Sequence, residues 1–311
     1  MVMSTAFIRS LEEVYPEASI DVIAKKGIIQ LMEFIPGIGK SYPFSREEYP
    51  GLKGAYSFGK MIGREKAYDK FFCLPDSLSS AVMALATGSR ERIGFKKEGR
   101  GIFLTKKYKR PTGKHRVEEY ISLLEQYVGG VVPNVGVYLQ AAGEKKPGRI
   151  IINMNSEAIS RRMPVAKSIS LLSLLMKQVS AEYVFIGGPN EKAHVEAIIA
   201  GLTSAGSILN VAGKTNLSGL CDTIASGSLM LSTDSGPAHL ANALGVDTIV
   251  LMGAGNENNT APYNASHRTI IRLGQLDCEP CVKNTCKYGL PKCLELLDEQ
   301  RIVNAVKASL G

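Results

Sequence analysis

Long apolar runs are missing from this 311-residue sequence. No window reaches the roughly 18 uninterrupted apolar residues of a membrane-spanning helix, and acidic residues stand near the start, where a signal peptide would be apolar. Internal repeats of fixed short period and low-complexity tracts are also lacking, which argues against repeat and fibrous proteins. The composition, 45% hydrophobic and 21% charged, is that of an ordinary soluble protein with one large or two medium domains. We therefore expect a cytoplasmic protein.

The excess of positive charge lies in the first half of the sequence. The net charge is +8, and residues 1–150 contain 24 Lys and Arg against 16 Asp and Glu, whereas residues 151–311 contain 13 of each. Residues 90–116 alone contain eleven basic and two acidic residues. Such a run can be a solvated face, but its confinement to one half indicates an anionic ligand or surface. Nucleic acid is one alternative, although no zinc-finger, helix-turn-helix or RNA-recognition pattern accompanies the run.

Short β-rich runs alternate with amphipathic stretches throughout the second half. The strand candidates are 150–154, 182–187, 207–213, 228–232 and 247–253, and helix candidates lie between them. This alternation is typical of βαβ units, so it predicts an α/β domain with a doubly wound parallel sheet. The first half is similar but less clear, with strand candidates at 19–24, 68–74 and 90–95 and helix candidates near 2–14, 77–87 and 114–128. Glycines and prolines in residues 129–149 predict the linker.

The start of the sequence departs from this pattern. A doubly wound domain should open with a strand that feeds its first helix. Instead, apolar residues such as Ala6, Phe7 and Leu11 recur at helical spacing from the beginning. The expected first strand is therefore missing.

The sharpest motif is STDSGPAH at residues 232–239, between a strand candidate and the next helix. Gly236 lets a ligand approach the backbone, Pro237 suits the first turn of a helix, and the amides of such a turn bind phosphate. Ligands of open parallel sheets also bind at this end of the strands. Alternatively, Asp234 or Ser235 only caps the helix, which leaves His239 without an explanation.

With this motif the sequence resembles glycosyltransferase family 9, which contains the ADP-heptose:lipopolysaccharide heptosyltransferases. The family's Asp-Ser/Thr-Gly-x-x-His motif and the Ala-Leu-Gly segment after it occur within DSGPAHLANALGVDTIVLMGAG at 234–255. Other matching pieces follow in the same order along nearly the whole chain. They include LPDSLSS at 74–80, RIGF at 92–95, HRVEEY at 115–120 and IGGPNEK at 186–192.

The resemblance implies a GT-B fold, in which two Rossmann-like doubly wound domains face each other across a cleft. Residues 1–140 would bind the acceptor, residues 149–292 the ADP-sugar donor, and residues 293–311 would form a helix that packs back across the domains. The implied reaction moves a heptose from ADP-heptose to the Kdo/heptose inner core of lipopolysaccharide, without a metal or other cofactor. This acceptor is anionic and membrane-held, so the resemblance implies peripheral contact of the basic first half with the inner membrane surface, and no nucleic-acid partner.

Within the 232–239 motif, four residues match positions that contact the donor in the family. Ser235 and Gly236 match residues that contact the diphosphate, whereas Asp234 and His239 match residues at the sugar end of the pocket. Ser156 matches a family position whose hydroxyl lies near the phosphates. We expect these residues to lie around one pocket.

Three further residues match donor contacts outside this motif. Arg161 matches the basic residue of the family's Lys-x-x-Pro stretch. A guanidinium at this position suits a diphosphate. The alternative is that Arg161 is only a solvated charge before a helix. Glu191 matches the acid that binds the ribose hydroxyls, and Thr215 falls at a nucleoside contact.

The general base of the family is an Asp in a Gly-Asp pair at the end of its first strand, followed by a segment like Met1-Val2-Met3-Ser4. We expect the true start codon to lie upstream, because truncation explains the missing strand and the missing acid together. The chain as given is then expected to be catalytically impaired. The alternatives are an impaired homologue that acts as a binding protein, and a transferase that uses another nucleotide sugar.

Six cysteines fall into two groups. Cys73 and Cys221 lie in apolar segments and are predicted to be buried thiols. The other four cysteines are Cys278, Cys281, Cys286 and Cys293. Their spacing could hold a structural zinc ion, but it lacks the paired Cys-x2-Cys knuckles of a strong zinc site. Zinc and free thiols both stay open, and no catalytic role is predicted.

Overall fold

The computed structural model describes residues 1–97, 99–203 and 206–311. The chain forms two compact units, which comprise Met3–Gly136 (unit 1) and Val137–Gly311 (unit 2). No helix within these described ranges is long and apolar enough to cross a membrane.

The described residues of unit 1 contain five strands in two parallel sheets. The strands are β1 (Ile20–Lys25), β2 (Ile38–Phe44), β3 (Lys70–Cys73), β4 (Glu91–Phe95) and β5 (Lys106–Tyr108). β1 pairs with β2, and β4 pairs with β3 on one side and β5 on the other. The predicted strands at 19–24, 68–74 and 90–95 are confirmed as β1, β3 and β4, but β2 and β5 were not predicted.

Four α-helices accompany these strands in the described part of unit 1. They are α1 (Thr5–Val14), α2 (Gly51–Glu65), α3 (Leu78–Ala86) and α4 (Arg116–Val128). The first element is helical, as the spacing of apolar residues predicts. α2 and α3 pack closely because Gly59 and Gly63 lack side chains: a Cβ at either glycine would lie 2.3 Å from a carbonyl oxygen of Met83 or Thr87.

Unit 2 contains one six-stranded sheet in its described residues. The strands are β6 (Arg149–Asn153), β7 (Glu182–Phe185), β8 (Ser207–Asn210), β9 (Leu229–Thr233), β10 (Asp247–Met252) and β11 (Arg268–Arg272). All pairs are parallel, in the order β11-β10-β9-β6-β7-β8. The chain runs outward from β6 to β8 and then outward in the other direction from β9 to β11. The sheet is therefore doubly wound as predicted, with its topological switch point between β6 and β9.

The helices of unit 2 pack on the sheet and form the hydrophobic core with it. Those in its described residues are α5 (Val165–Gln178), α6 (Lys192–Gly201), α7 (Leu217–Ala225), α8 (Gly236–Ala243), α9 (Glu257–Thr260), α10 (Lys292–Glu295) and α11 (Glu299–Leu310). Every residue of β9 is buried, which is typical of a parallel strand covered on both faces. α11 packs on α5 and contributes Ile302, Val303 and Val306 to the core cluster that includes Ile150 and Leu229.

Candidate functional site

Polar side chains meet where β6 and β9 end, at the switch point of the sheet. The Asn153 side-chain amide donates to the hydroxyls of Ser232 at 3.0 Å and Ser235 at 2.8 Å. The Thr233 hydroxyl donates to the carbonyl of Asn155 at 2.6 Å. These bonds hold the two strand-end loops together at the edge where ligands of open parallel sheets bind.

The N-terminus of α8 opens onto this edge. Ser235 is the N-cap residue, but its side chain accepts no amide hydrogen bond of the described helix; its hydroxyl donates instead to the Thr233 carbonyl at 3.1 Å. The alternative in which Asp234 or Ser235 only caps the helix thus lacks the side-chain cap bond that it requires at Ser235. No described atom lies within 4 Å of the position that a Cβ on Gly236 would take. Because first-turn amides lack intrahelical acceptors, this end of α8 suits an anion such as a phosphate.

Asp234 is a buried carboxylate beside this helix end. The residue is 4% exposed, and its Oδ2 has no hydrogen-bond partner in the described part of the chain. The Arg161 guanidinium lies nearby, with Nε 3.6 Å from Oδ2. Burial raises the pKa of Asp234, while the guanidinium charges of Arg161 and Arg272 act in the opposite direction. A buried acid with a perturbed pKa at a strand end is typical of a functional site.

Ser156 lies next to Asp234 on the β6 side. It is buried, and its hydroxyl lies 3.4 Å from the Asp234 carbonyl oxygen to which it donates. The guanidinium of Arg162 donates to the Ser156 carbonyl at 3.2 and 2.9 Å. Arg162 thus fixes the turn that carries Ser156, and Arg161 follows the same turn with its side chain 29% exposed.

Glu191 and Thr215 lie farther along the same sheet edge, after β7 and β8. Their loops are joined by a hydrogen bond from the Gly213 amide to the Gly187 carbonyl at 2.8 Å. A Cβ on Gly187 would lie 2.9 Å from the Asn155 side chain and 3.4 Å from Glu191 Cβ, so this loop approaches the β6 end closely. The Glu191 carboxylate accepts from the Gly188 amide at 2.8 Å.

The predicted residues therefore lie side by side along the edge of the sheet where the strands end. Asp234, Ser235, Ser156 and Arg161 meet at the switch point, and His239 lies in the first turns of α8, partly buried. Glu191 and Thr215 lie on the loops after the next two strands. Their roles in binding a donor stay predictions.

Sequence reasoning missed the residues that build the walls of the site. Arg272, at the end of β11, donates to the Gly253 carbonyl at 2.7 Å, to the Glu257 carboxylate at 3.1 Å and to the Gly255 carbonyl. Gly255 lies against Asp234, because a Cβ there would be 2.0 Å from Asp234 Oδ2. No local pattern around Arg272 indicates these distant partners. Asn153 and Asn155 could have been found, since both are polar residues at the end of a buried strand.

The six cysteines are all free thiols in the structure. Cys73 and Cys221 are buried, as predicted, and burial raises the pKa of each thiol to about 12. The other four cysteines together line a cavity of about 20 Å³. Among the described residues, no group of three or more His, Cys, Asp and Glu side chains is arranged to hold a metal ion. Zinc or free thiols at these four positions remain alternatives for metal analysis.

The strand order of unit 2, read from β6, is 3-2-1-4-5-6, and an anion-accepting helix end lies at its switch point. Together these features define a doubly wound α/β domain with a position suited to an anion at its switch point. Comparison with known families identifies the group. Residues 56–291 match glycosyltransferase family 9 (heptosyltransferase), and the chain belongs to this family and is a glycosyltransferase.

Characterised relatives are similar over most of their length. The chain is 26% identical over 278 residues to the lipopolysaccharide core heptosyltransferase OpsX of Haemophilus influenzae, covering 83% of this chain and 77% of that protein. It is 27% identical over 303 residues to lipopolysaccharide heptosyltransferase 2 of Escherichia coli K12, covering 88% of this chain and 84% of that protein.

Solved structures share the fold. A glycosyl transferase of family 9 from Veillonella parvula superposes with a TM-score of 0.86 at 20% identity, over 99% of this chain and 93% of that chain. The E. coli ADP-heptose heptosyltransferase II gives a TM-score of 0.83 at 23% identity, over 100% and 95% of the two chains. The predicted α/β fold of the GT-B type is thereby confirmed.

Proposed function

We propose that this protein transfers a heptose from ADP-heptose to the anionic inner core of lipopolysaccharide, and that the switch point of unit 2 binds the donor. The observation that carries the proposal is the buried Asp234 carboxylate beside Arg161 at the open N-terminus of α8, in a chain of this family. The relatives from H. influenzae and E. coli described above are lipopolysaccharide heptosyltransferases.

The diphosphate of the donor binds at the start of α8. As the acceptor hydroxyl oxygen bonds to the sugar carbon and gives up its proton to a base, the bond from that carbon to the phosphate oxygen breaks and the leaving ADP gains negative charge. The first-turn amides, the Ser235 hydroxyl and the Arg161 guanidinium stabilise this charge, because preorganised donors need no rearrangement as the charge develops. The open space at Gly236 lets the phosphates approach the backbone.

The two ends of the donor extend in opposite directions from the diphosphate. The sugar lies toward Asp234, whose Oδ2 lacks a partner in the described residues and can accept a sugar hydroxyl, and toward His239. The nucleoside lies along the edge past Ser156, with Glu191 at the ribose and Thr215 at the base. Within the described ranges, the Glu191 carboxylate accepts a bond from the Gly188 amide and has further lone pairs that can accept ribose hydroxyls.

The acceptor reaches the protein at a membrane surface. Lipopolysaccharide precursors are anionic lipids, and the excess positive charge of the chain lies in residues 1–150. We place the reaction at the cytoplasmic face of the inner membrane, with electrostatic attraction between unit 1 and the lipid surface.

A transfer assay tests this function. The purified chain is incubated with ADP-heptose and Kdo-containing lipid A, and the lipid is analysed by mass spectrometry. One heptose mass is expected on the lipid with ADP-heptose, at a reduced rate because the sequence has no Gly-Asp pair to supply the family's general base, and none with UDP-glucose or GDP-mannose. Transfer from another nucleotide sugar, with none from ADP-heptose, would overturn the donor assignment. Binding of ADP without transfer would favour a binding protein.

A further inference from the structure

The arginines of the basic run 90–116 have partners within unit 1. The pairs are Arg90 with Asp69, Arg92 with the carbonyls of Ser89 and Phe103, Arg100 with the carbonyl of Pro75, Arg110 with Asp76 and Glu119, and Arg116 with Glu119. Arg100 is only 1% exposed. Arg90, Arg110 and Arg116 are thus paired with carboxylates, whereas Arg92 and Arg100 hold backbone carbonyls.

Three lysines of the same run are different. Lys96, Lys97 and Lys107 are exposed, and none has an acidic partner in the described part of the chain. Together with Gly99, Gly101 and Ile102 they line an open surface recess of about 490 Å³, which we call the lysine recess. Its backbone is held by a bond from the Lys96 amide to the Tyr108 carbonyl at 2.8 Å. Three exposed lysines of the run are thus gathered around one open surface.

An apolar side chain projects from the rim of the lysine recess. Ile102 is 80% exposed, whereas Arg100, in the same short 3-10 helix Arg100–Ile102, is buried. The usual burial of charged and apolar residues is reversed here. The buried Arg100 guanidinium donates to the Pro75 carbonyl at 2.6 Å and anchors the helix, which leaves Ile102 facing outward.

We propose that the lysine recess docks unit 1 on an anionic lipid surface, with the three lysines against lipid phosphates and Ile102 at the level of the acyl chains. Lysines that surround an exposed apolar residue match the layered chemistry of a bilayer interface, in which phosphates lie above hydrocarbon. A soluble phosphate would satisfy the lysines but would leave Ile102 in water. RNA is disfavoured because no described aromatic side chain lines the recess on which a base could stack. The proposal deepens the proposed function, whose acceptor is a lipid, but its test requires neither donor nor acceptor.

Vesicle co-sedimentation of the full chain tests the docking surface. The probes are vesicles of phosphatidylcholine alone and of phosphatidylcholine mixed with phosphatidylglycerol. The variants are K96Q/K97Q/K107Q and Ile102→Asp, and the matched control K53Q/K60Q/K145Q removes the same charge from exposed lysines elsewhere. A near-surface lysine contributes about fivefold to binding, so the recess triple variant should bind the anionic vesicles on the order of a hundredfold more weakly.

The expected pattern has three parts. The wild type binds only the anionic vesicles, the control triple variant stays close to the wild type, and Ile102→Asp weakens binding without removing its salt dependence. Stabilisation by ADP should be unchanged in every variant, which shows that each is folded and that the donor site is unaffected.

Other results would overturn the docking surface. These are equal losses in the two triple variants, equal binding to both kinds of vesicle, no vesicle binding by the wild type, or recess-dependent binding of single-stranded RNA in place of vesicles. Failure of heptose transfer with intact vesicle binding would count against the proposed function alone.

Discussion

At the scale of single residues, Asp234 is the central group of the proposed donor site. Its carboxylate is buried, its Oδ2 has no hydrogen-bond partner within the described ranges, and Arg161 Nε lies 3.6 Å from it. A buried, incompletely paired carboxylate lowers stability. When such a carboxylate lies at a ligand-binding edge, a ligand that donates the missing hydrogen bond restores this stability and is bound more tightly.

Asp234→Asn should stabilise the protein in a pH-dependent way. The pKa of Asp234 is raised in the folded state, so ionisation costs stability as the pH rises from the ordinary aspartate value through the raised pKa. Asparagine does not ionise, so D234N should be more stable than the wild type by about 1–3 kcal/mol above the raised pKa, and the difference should shrink in acid. Urea denaturation at a series of pH values measures it. A difference that does not vary with pH would argue against a raised pKa.

Gly255→Ala should disturb the same carboxylate. The added Cβ would lie 2.0 Å from Asp234 Oδ2, so either the side chain or the turn must move. We expect a loss of about 1–3 kcal/mol of stability, typical of overpacking, and weaker stabilisation by ADP. Gly130→Ala is the control, because its Cβ would meet no described atom within 4 Å. Equal behaviour of the two variants in thermal denaturation would show that Gly255 has room for a side chain.

At the scale of elements, β11 positions the turn that packs on Asp234. Arg272 at its end binds the Gly253 and Gly255 carbonyls and the Glu257 carboxylate. Four residues earlier on the same strand, Arg268 donates to the Pro262 carbonyl at 2.6 Å. The two arginines make similar backbone bonds, but only Arg272 contacts the turn that includes Gly255.

Arg272→Gln should therefore change the donor site, whereas Arg268→Gln should not. Loss of the Arg272 charge removes an influence that lowers the pKa of Asp234, so this pKa should rise further. In the R272Q background, the stability difference between the protein that keeps Asp234 and its D234N variant is therefore expected to keep growing to a higher pH and to level off at a larger value. ADP should bind R272Q about tenfold more weakly, and R272K should recover part of the loss. The idea fails if R268Q produces the same pH shift.

The sequence predicts some elements well and others poorly, for physical reasons. The sheet of unit 2 is predictable because its buried parallel strands are continuous apolar runs. α2 was missed because its sequence contains four glycines, which disfavour a helix. Two of them, Gly59 and Gly63, instead allow α2 to pack closely on α3. That advantage is visible only when the partner helix is known.

The candidate site divides in the same way. Asp234, Ser235 and Gly236 stand in one local motif after a strand, so their common location follows from the sequence. Arg272 and Gly255 are 17 residues apart, and Arg272 binds the Gly255 carbonyl. Gly255 in turn lies against Asp234, and these contacts arise because β9, β10 and β11 are neighbours in the sheet. Such contacts depend on strand order, which local sequence does not determine.

At the scale of the whole molecule, the two halves of the chain differ in charge and in chemistry. Residues 1–150 hold the excess positive charge, and unit 2 holds the sheet edge at which we propose the donor binds. This division suits a transferase whose donor is a soluble nucleotide sugar and whose acceptor is an anionic lipid.

Arg161→Gln should weaken donor binding while the fold stays intact. A charge-assisted bond to a phosphate contributes about 1.5–3 kcal/mol, so affinity for ADP should fall by roughly ten- to a hundredfold. Lys177→Gln, which removes an exposed charge on α5, is the control. Titration calorimetry with ADP measures both, and equal affinities would place the diphosphate away from Arg161.

The most direct test of the donor site is thermal stabilisation by nucleotides, measured on the wild type and on Arg161→Gln. ADP at about a hundred times its Kd should stabilise the wild type by about 2.7 kcal/mol and raise its Tm. UDP and GDP should have little effect, and R161Q should lose most of the response to ADP. Stabilisation by UDP but not by ADP, or an undiminished ADP response in R161Q, would contradict the account.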